Sequence, residues 1–316
     1  MKEIGGYFEL GGFQNEVYHK GAITLNTATN AVIYLIKAKK IKKIYLPYYL
    51  CNCLDKIKEF CKVEYYKINR DFTPDFSLEL KKDEYLYLVN YYGIFDNSYI
   101  LELNNRFRNI IVDNVQAFFQ KPIENIDTIY SCRKFFGVPD GAYLYSNRYL
   151  KEEIPRDKSY KYFEHLLGRV EEDANIHFNE YRDNEKKLLD LKLAYMSKTT
   201  ELIMNAQDYE KIRDTRTSNF KYLNKHLSNL NEIKVKDIIG AYMYPFYTKN
   251  SEKLRKELIK NKVYVPTLWP NVLEQHQDEI GYDYALNIIP LPCDQRYNEE
   301  DMKKIIKIIK GENINE

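Results

Sequence analysis

The chain between residues 43 and 146 alternates short apolar runs with longer stretches of helical periodicity. Six runs rich in aromatic and β-branched residues have the length and composition of strands, and they lie at 43–50, 62–68, 84–93, 109–114, 127–132 and 142–146. Apolar residues recur at helical spacing in the intervals 52–60, 75–82 and 97–107. Strands that alternate with helices predict a mostly parallel sheet with helices on both faces, so we expect a three-layer α/β domain.

The sequence after residue 150 has a different pattern. Residues 151–230 contain long polar segments with Tyr and Leu at helical spacing, which predicts several helices, and a strand is predicted at 241–248. Three residues are predicted to begin or end the last two long helices, namely the N-caps Ser251 and Asn298 and the terminating Gly311. We therefore predict a large domain over residues 1–214 and a smaller C-terminal α+β domain over residues 215–316.

Composition and charge are those of an ordinary globular protein and do not indicate nucleic-acid binding. Of 316 residues, 44% are hydrophobic and 30% are charged, and the 48 basic residues nearly cancel the 46 acidic ones. A nucleic-acid-binding protein usually needs a clear basic excess on one face, so that class is not indicated. The N-terminal residues lack the apolar core of a signal peptide, and no run reaches the roughly 18 apolar residues that span a bilayer. We therefore expect a cytoplasmic protein without membrane segments.

Several common chemistries have no support in the sequence. The five cysteines include no CxxC spacing, so neither a disulfide framework nor a zinc site is predicted, although the CNC stretch at 51–53 is noted. The motifs for nucleotide triphosphates, dinucleotides, zinc proteases and serine hydrolases are all missing. No metal site is predicted.

A short polar turn at Thr27, Ala28 and Thr29 leads directly into an apolar helical segment. Backbone N–H groups and hydroxyls at the start of a helix can hold a phosphate at its positive end. An ordinary N-cap at this turn explains the same pattern, so the turn alone does not decide between the two interpretations.

An acidic residue, Asp113, follows a run of β-branched residues and is expected at the end of a buried strand. A buried carboxylate needs a cation or several hydrogen-bond donors, because an unpaired one is desolvated at a cost of several kcal/mol. A protonated heterocyclic nitrogen would serve as such a partner. An N-cap role for Asp113 is the alternative.

The stretch at 127–146 places Ser131 and Lys134 between two predicted strands. A lysine in a sheltered site loses its proton more readily and can form a Schiff base with a carbonyl, while Ser131 could bind a phosphate on the same molecule. An exposed loop lysine is the simpler interpretation of Lys134 alone. A phosphate turn, an acid and a lysine, each at a predicted strand end, are together the three partners that pyridoxal 5'-phosphate requires.

The motifs that carry these residues resemble the DegT/DnrJ/StrS-type pyridoxal-phosphate sugar aminotransferases, and the resemblance covers most of the chain. NTATNAV at 26–32 resembles the phosphate-holding turn, VDNVQAF at 112–118 the Asp-x-x-Gln motif, and SCRKFFGVPDGAYL at 131–144 the Schiff-base segment. The resemblance implies the type I fold of pyridoxal-phosphate transferases. It assigns Asp113 to the ring nitrogen, Gln116 to the side of the ring hydroxyl, and Lys134 to the covalent link.

Three features depart from the family pattern. Ser131 and Lys134 are three positions apart, which is closer than in many members, and the position of the second glycine after Asp140 holds Ala142. Many members stack a large aromatic residue on the cofactor where this chain has Cys51, so we expect Tyr49, Tyr91 or Tyr92 to take that role.

The resemblance implies an aminotransferase that moves an amino group, by resemblance from glutamate, to a keto sugar. The sugar is expected to be nucleotide-linked and destined for a surface glycan, and the enzyme is expected to be a homodimer. Two alternatives remain open at this stage: an aminotransferase for a small ketone that carries no nucleotide, and a catalytically silent relative with a regulatory role.

Overall fold

The computed structural model describes residues 10–11, 16–275 and 277–311. Its centre is an eight-stranded sheet with the strand order β1-β8-β7-β6-β5-β2-β3-β4. The strands are β1 (Ile23–Leu25), β2 (Lys43–Pro47), β3 (Lys62–Ile68), β4 (Pro74–Asp75), β5 (Glu84–Val89), β6 (Ile110–Asp113), β7 (Asp127–Ser131) and β8 (Ala142–Tyr145). Strands β3, β2, β5, β6 and β7 are parallel neighbours, whereas β8 runs antiparallel to both β7 and β1.

This sheet confirms the predicted mostly parallel α/β fold and all six predicted strands of the large domain. Two strands were missed, β1 and β4. With three and two residues they are too short to show the alternation that identifies a strand. Strand β1 matters for the site, because it adds a strand beyond β8 and leads directly into the first helix.

The first two helices are α1 (Ala28–Lys39) and α2 (Asn97–Phe107), and residues 52–59 form a 3₁₀ helix in place of the predicted α-helix. Helix α1 buries seven consecutive residues, Asn30 to Ile36, against the sheet. Each fully buried aliphatic side chain of this kind contributes roughly 1.5–3 kcal/mol. Helix α1 is therefore held firmly, and its first turn has a fixed place beside β1.

The helix predicted at 75–82 does not form, and this prediction was wrong. Only Pro74 and Asp75 pair with β3, and residues 76–81 have no regular secondary structure. Phe76 is buried against the rings of Tyr45 and Phe107, whereas Leu78 is 54% exposed. The apolar residues of this segment therefore do not share one buried face, and contacts of Phe76 with the core outweigh its helical periodicity.

The rest of the chain is mainly helical, as predicted, with one small sheet. Its elements are α3 (Glu164–Glu171), α4 (Phe178–Leu189), α5 (Lys198–Met204), α6 (Tyr209–Leu227), β9 (Tyr244–Tyr247), α7 (Ser251–Lys260), α8 (Val272–Gln275), α9 (Glu279–Asn287), β10 (Ile288–Leu291) and α10 (Glu299–Lys310). Strands β9 and β10 pair antiparallel, and a second hydrophobic core lies between them and helices α6, α7 and α10. The boundary between residues 214 and 215 stays a prediction, and it falls inside α6.

The predicted helix ends are partly confirmed. Asn298 forms a capping box with Asp301, and Gly311 ends α10 in the left-handed conformation. Ser251 is the first residue of α7 instead of its N-cap, which is Asn250, and the Ser251 hydroxyl donates to the carbonyl of Leu286. A serine before a helical run fits both positions, so sequence alone could not separate them.

The five cysteines form one disulfide and three free thiols. Cys51 and Cys53 are joined by a disulfide, which the sequence did not predict. Cys61, Cys132 and Cys293 are free.

Within the described ranges, no helix combines the length and the apolar character needed to cross a membrane.

Candidate active site

One edge of the large sheet collects the residues that were predicted to carry chemistry. Leu25 of β1 pairs with Ala142 of β8, and Ala142 pairs with Ser131 of β7, so these three residues form a single row. Asp113, the last residue of β6, pairs with Ile129 of β7. Since the carboxyl ends of parallel strands meet at the same edge, the segments that follow β1, β6 and β7 emerge side by side.

The turn at the start of α1 follows β1 at this edge. Thr27 is the N-cap of α1, and its hydroxyl oxygen accepts from the N–H of Asn30 at 3.1 Å. The N–H of Gly141 donates to the carbonyl of Asn26 at 2.6 Å, which ties the turn to the start of β8. The Thr29 hydroxyl is engaged in a 3.0 Å bond to the carbonyl of Cys53. Free backbone N–H groups of the first helical turn are the remaining donors for an anion.

Two asparagines that the sequence analysis did not single out connect this turn to distant segments of the chain. The Asn26 amide donates to Asp157 at 2.8 Å and to the carbonyl of Lys192 at 2.9 Å. The Asn30 amide donates to the carbonyls of Leu191 and Lys192. Their partners lie more than 130 positions away along the chain, so no local pattern could have revealed them.

Asp113 is 4% exposed and lies among neutral donors. Its carboxylate accepts from the Tyr87 hydroxyl at 2.9 Å and from the N–H of Val115 at 3.0 Å. Burial raises the pKa of Asp113 to about 6, although these two bonds and the positive charge of Lys134 act in the opposite direction. A cation placed next to this carboxylate would therefore favour its charged form and lower its pKa.

Gln116 and Tyr92 form the side of the site next to Asp113. The Gln116 amide oxygen accepts from the N–H of Tyr92 at 2.7 Å, so its NH₂ end is the part that could donate to a ligand. Tyr92 is fully buried and has φ 57°, ψ 3°, a left-handed conformation that costs a non-glycine residue energy. Backbone strain of this kind tends to persist at functional sites, where the surroundings over-determine it.

Tyr49 and Tyr92, two of the residues expected to stack on a cofactor, are buried within an aromatic cluster. The ring of Tyr49 lies 4.4 Å from that of Trp269 and 5.2 Å from that of Tyr91, centroid to centroid. The hydroxyls of Tyr49 and Tyr92 interact electrostatically, but neither meets hydrogen-bond geometry with any described residue. Which ring faces a ligand stays a prediction.

Lys134 lies in the loop between β7 and β8. Its side chain is exposed to solvent, in agreement with the simpler interpretation of this residue as a loop lysine, and its Nζ is 6.0 Å from the ring centroid of Tyr242. Loss of hydration to the surrounding protein lowers the pKa of Lys134, the positive charge of Arg133 lowers it further, and Asp113 acts in the opposite direction. Arg133 itself forms an ion pair with Glu185 of α4. Lys134 and Asp113 are therefore electrostatically coupled.

The far end of the lysine loop is anchored by Asp140, which is fully buried. Its carboxylate accepts from the Ser197 N–H and hydroxyl, both at 2.8 Å, and from the Thr200 hydroxyl. Gly141 follows with φ 115°, and an added Cβ would lie 3.0 Å from Cys132 Sγ and from Thr200 Cγ2. The Asp-Gly pair of the motif therefore closes the loop rather than contributing to its chemistry.

The donor set fits the cofactor that the sequence predicted. The α1 N-terminus and Ser131, which is 7% exposed, lie around the row that joins β1, β8 and β7. Asp113 offers a carboxylate to a cation, and Lys134 offers an amine with a lowered pKa. These groups match a phosphate, a protonated ring nitrogen and a carbonyl, respectively.

No protein-family model and no curated protein matches this sequence. Solved structures do match. A DegT DnrJ EryC1 StrS aminotransferase from Brucella abortus has 14% sequence identity, a TM-score of 0.62, and coverage of 93% of this chain and 86% of that one. The sugar aminotransferase CalS13 from Micromonospora echinospora has 11% identity, a TM-score of 0.62, and coverage of 92% and 87%. NtdA from Bacillus subtilis, solved with bound cofactor PMP, has 12% identity, a TM-score of 0.63, and coverage of 92% and 73%.

These matches cover most of both chains, and they show that the protein has the fold of these aminotransferases. The predicted type I fold is thereby confirmed. At 11–14% identity, the matches establish the fold, while the chemistry rests on the residues at the sheet edge.

Proposed function

We propose that the protein is a pyridoxal-phosphate-dependent aminotransferase that acts on a keto sugar. The observation that carries this proposal is the pair formed by Asp113 and Lys134. A buried carboxylate with a pKa raised to about 6 and a lysine with a lowered pKa influence each other at the carboxyl edge of the sheet. Structures of the same fold include enzymes described as aminotransferases, and one of them is solved with PMP.

Thr27, Ala28 and Ser131 would hold the cofactor phosphate. Thr27 caps α1 and Ala28 is its first residue, so the free N–H groups of the first turn and the helix dipole favour an anion there. Ser131 lies in the same row of strand residues as Leu25, two positions before Thr27. Thr29 was predicted to share this role, but its hydroxyl is committed to Cys53, so only its backbone is available.

Asp113 would pair with the ring nitrogen and keep it protonated. A cation next to a buried carboxylate restores the charged form that desolvation disfavours, and a charge-assisted hydrogen bond of this kind contributes about 1.5–3 kcal/mol. Gln116 would donate its NH₂ end to the ring hydroxyl side. Tyr49 and Tyr92 would flank the ring, with Tyr91, the residue before Tyr92, as the alternative.

Lys134 would bind the cofactor carbonyl and later carry a proton at Nζ. Only the neutral amine attacks a carbonyl, and a lowered pKa increases its fraction near neutral pH. When bound, pyridoxal phosphate supplies a carbonyl for amino-group transfer and a protonated ring that accepts electrons. The ring of Tyr242 lies 6.0 Å from the lysine Nζ, and the charge of Arg133 contributes to its lowered pKa.

The acceptor we propose is a nucleotide-linked keto sugar, the donor is glutamate, and the product serves a surface glycan. Structural neighbours described as sugar aminotransferases support the sugar class. A cytoplasmic location would suit such a substrate. The abundance of tyrosine around the site keeps a smaller ketone as the competing acceptor, and a panel of nucleotide keto sugars and small keto compounds would separate the two.

We further propose a homodimer. Helices α3 and α4 and the loop between them expose large apolar side chains, including Leu167 at 61%, Val170 at 81%, Ile176 at 59% and Phe178 at 55%. Apolar groups gathered in this way often mark a protein interface. Sedimentation of the protein should report a dimer, and Val170→Glu should shift it toward the monomer.

The decisive test of the function is reduction of the protein with borohydride after incubation with pyridoxal phosphate. A pyridoxyl group should appear on the peptide that contains Lys134, and Lys134→Ala should abolish both the label and amino transfer. Lys151→Ala, which changes an exposed lysine after β8, should leave both unchanged. Normal turnover in the Lys134 variant would overturn the assignment. A protein that never takes up the cofactor would favour the regulatory alternative.

A further inference from the structure

The carbonyl of Phe135, the residue after Lys134, is held by two side chains from the C-terminal part of the chain. It accepts from Nη2 of Arg216 at 3.2 Å and from Nε2 of Gln295 at 2.8 Å. Arg216 Nε also donates to the Gln295 amide oxygen at 2.6 Å, which closes a triangle of three hydrogen bonds. This triangle, the Phe135 clamp, joins the lysine loop to α6 and to the segment after β10.

Arg216 is an unusual residue to find in this place, because it is 2% exposed. Its Nη1 donates to the carbonyls of Ala241 at 2.9 Å and Tyr242 at 3.3 Å, and its guanidinium lies 4.5 Å from the Phe135 ring centroid. Among the described residues it forms no ion pair, and the nearby Asp294 is engaged with Arg296 at 2.7 Å and 2.8 Å. The buried guanidinium is therefore solvated by neutral oxygens.

A buried cation without a paired carboxylate is costly, and an apolar residue of similar volume would often stabilise the protein more. What Arg216 provides is geometry, since a planar guanidinium can direct several N–H groups at fixed angles. Here those groups hold two backbone positions that border Lys134. One is Phe135, next in sequence, and the other is Tyr242, whose ring faces the lysine Nζ at 6.0 Å.

We propose that Arg216 and Gln295 are positioning residues, which fix Lys134 over the site from the C-terminal part of the chain. The catalytic meaning of this role rests on the proposed function, but the geometric role does not. Through the clamp, any shift of α6 or of the segment after β10 relative to the large sheet is passed to the backbone beside Lys134.

The charge environment of Lys134 gives this role a measurable signature. The titratable and charged groups that face it are Asp113 of β6, Arg133 of its own loop, Tyr181 of α4 and Tyr242 before β9. The surrounding protein and Arg133 lower the pKa of Lys134. A loop released from the clamp lets the exposed amine of Lys134 move away from the guanidinium of Arg133, which stays paired with Glu185, so its pKa should rise toward the ordinary value of lysine.

The test is the pH dependence of Lys134 labelling by dinitrofluorobenzene in the cofactor-free protein, followed on the Lys134 peptide by mass spectrometry. Gln295→Leu removes two sides of the triangle, and Arg216→Lys keeps the charge but loses the fork. The matched control is Asn219→Leu. Asn219 lies one turn from Arg216 on α6 and donates to the carbonyls of Cys293, Asp294 and Tyr297, but it makes no bond to the lysine loop.

We expect Gln295→Leu to raise the labelling midpoint of Lys134 by roughly one pH unit, with a smaller rise for Arg216→Lys and none for Asn219→Leu. Below the midpoint, one unit corresponds to an about tenfold lower labelling rate. An unchanged midpoint in both clamp variants, or an equal rise in the Asn219 variant, would overturn the proposal. If Arg216→Lys fails to fold, Gln295→Leu decides.

This outcome is independent of the test of function. A protein that takes up no pyridoxal phosphate would end the proposed function, yet the labelling midpoints would still report on the clamp. If the enzyme is active but the labelling midpoint of Lys134 is the same in the clamp variants, the proposed function stands and the positioning role does not.

Discussion

The Tyr87 hydroxyl donates to the Asp113 carboxylate at 2.9 Å, so the acid at the centre of the site has a neutral partner within a buried strand pair. Tyr87 in turn accepts, at its backbone carbonyl, a 2.7 Å bond from the hydroxyl of Tyr66. A neutral partner orients the carboxylate without neutralising it. The pKa of Asp113 stays raised because burial outweighs these hydrogen bonds and the positive charge of Lys134.

Stability of the cofactor-free protein should depend on the ionisation of Asp113. Its pKa is about 6 when folded against 3.8 as the reference value, so the stabilisation is complete below pH 3.8 and is lost as pH rises to about 6. Asp113→Asn does not ionise, so its stability relative to the wild type should rise by about 3 kcal/mol over that interval. Urea unfolding at a series of pH values measures this difference, and parallel curves would contradict it.

Tyr87→Phe should raise the pKa of Asp113 further, because the tyrosine hydrogen bond favours the ionised form. We expect an upward change of roughly one unit, seen as a shift of the same stability transition to higher pH. Tyr66→Phe removes a bond of the same network that does not touch the carboxylate. An equal shift in both variants would mean that the tyrosines act only through packing.

Thr27 should matter both for the helix and for anion binding. Thr27→Ala removes an N-cap and should cost about 1 kcal/mol in the free energy of unfolding. It should also weaken pyridoxal phosphate binding, whereas Thr27→Ser should keep both properties. Chemical denaturation and a cofactor titration followed by absorbance give the two quantities. Weakened binding in the serine variant would argue against a role of the hydroxyl.

Gly141→Ala should be strongly destabilising, because φ 115° disfavours any side chain and the new Cβ would lie 3.0 Å from two neighbours. Gly21→Ala provides the matched control, since Gly21 has φ 78° but open space around its Cβ position. The control should lose about 1 kcal/mol, and Gly141→Ala should lose at least about 2 kcal/mol more. Similar losses at both positions, measured by thermal unfolding, would show that the lysine loop shifts to accommodate the added Cβ at little cost in stability.

The sequence predicted the sheet well, and placed Asp113 and Lys134 at its strand ends, because these features are local. Long apolar strands, the turn at Thr27 and the Asp113 and Lys134 motifs all lie within short windows. The failure at 75–82 has the opposite origin. There the periodicity was helical, but Phe76 packs between rings from β2 and α2 that no short window contains.

The residues that hold the segments of the site in place could not be predicted from the sequence, for the same reason. Arg216 and Gln295 lie 81 and 160 positions from Phe135, and Ser197 lies 57 positions from Asp140. Each is an unremarkable polar residue within its own segment. Such partners become visible only when the fold brings distant segments together, so sequence analysis proposed the candidate site residues and missed the residues that hold their segments in place.

The base of the lysine loop separates the length of the loop from the pairing of the strands that flank it. The Cys132 N–H donates to the Gly141 carbonyl at 3.0 Å, and the Gly141 N–H donates to the Asn26 carbonyl, so the loop is closed where it leaves the sheet. Residues between Cys132 and Gly141 can be gained or lost without shifting the pairing of β7, β8 and β1. A change of loop length would therefore alter how far Lys134 stands from Ser131 while Leu25, Ala142 and Ser131 stay in one row.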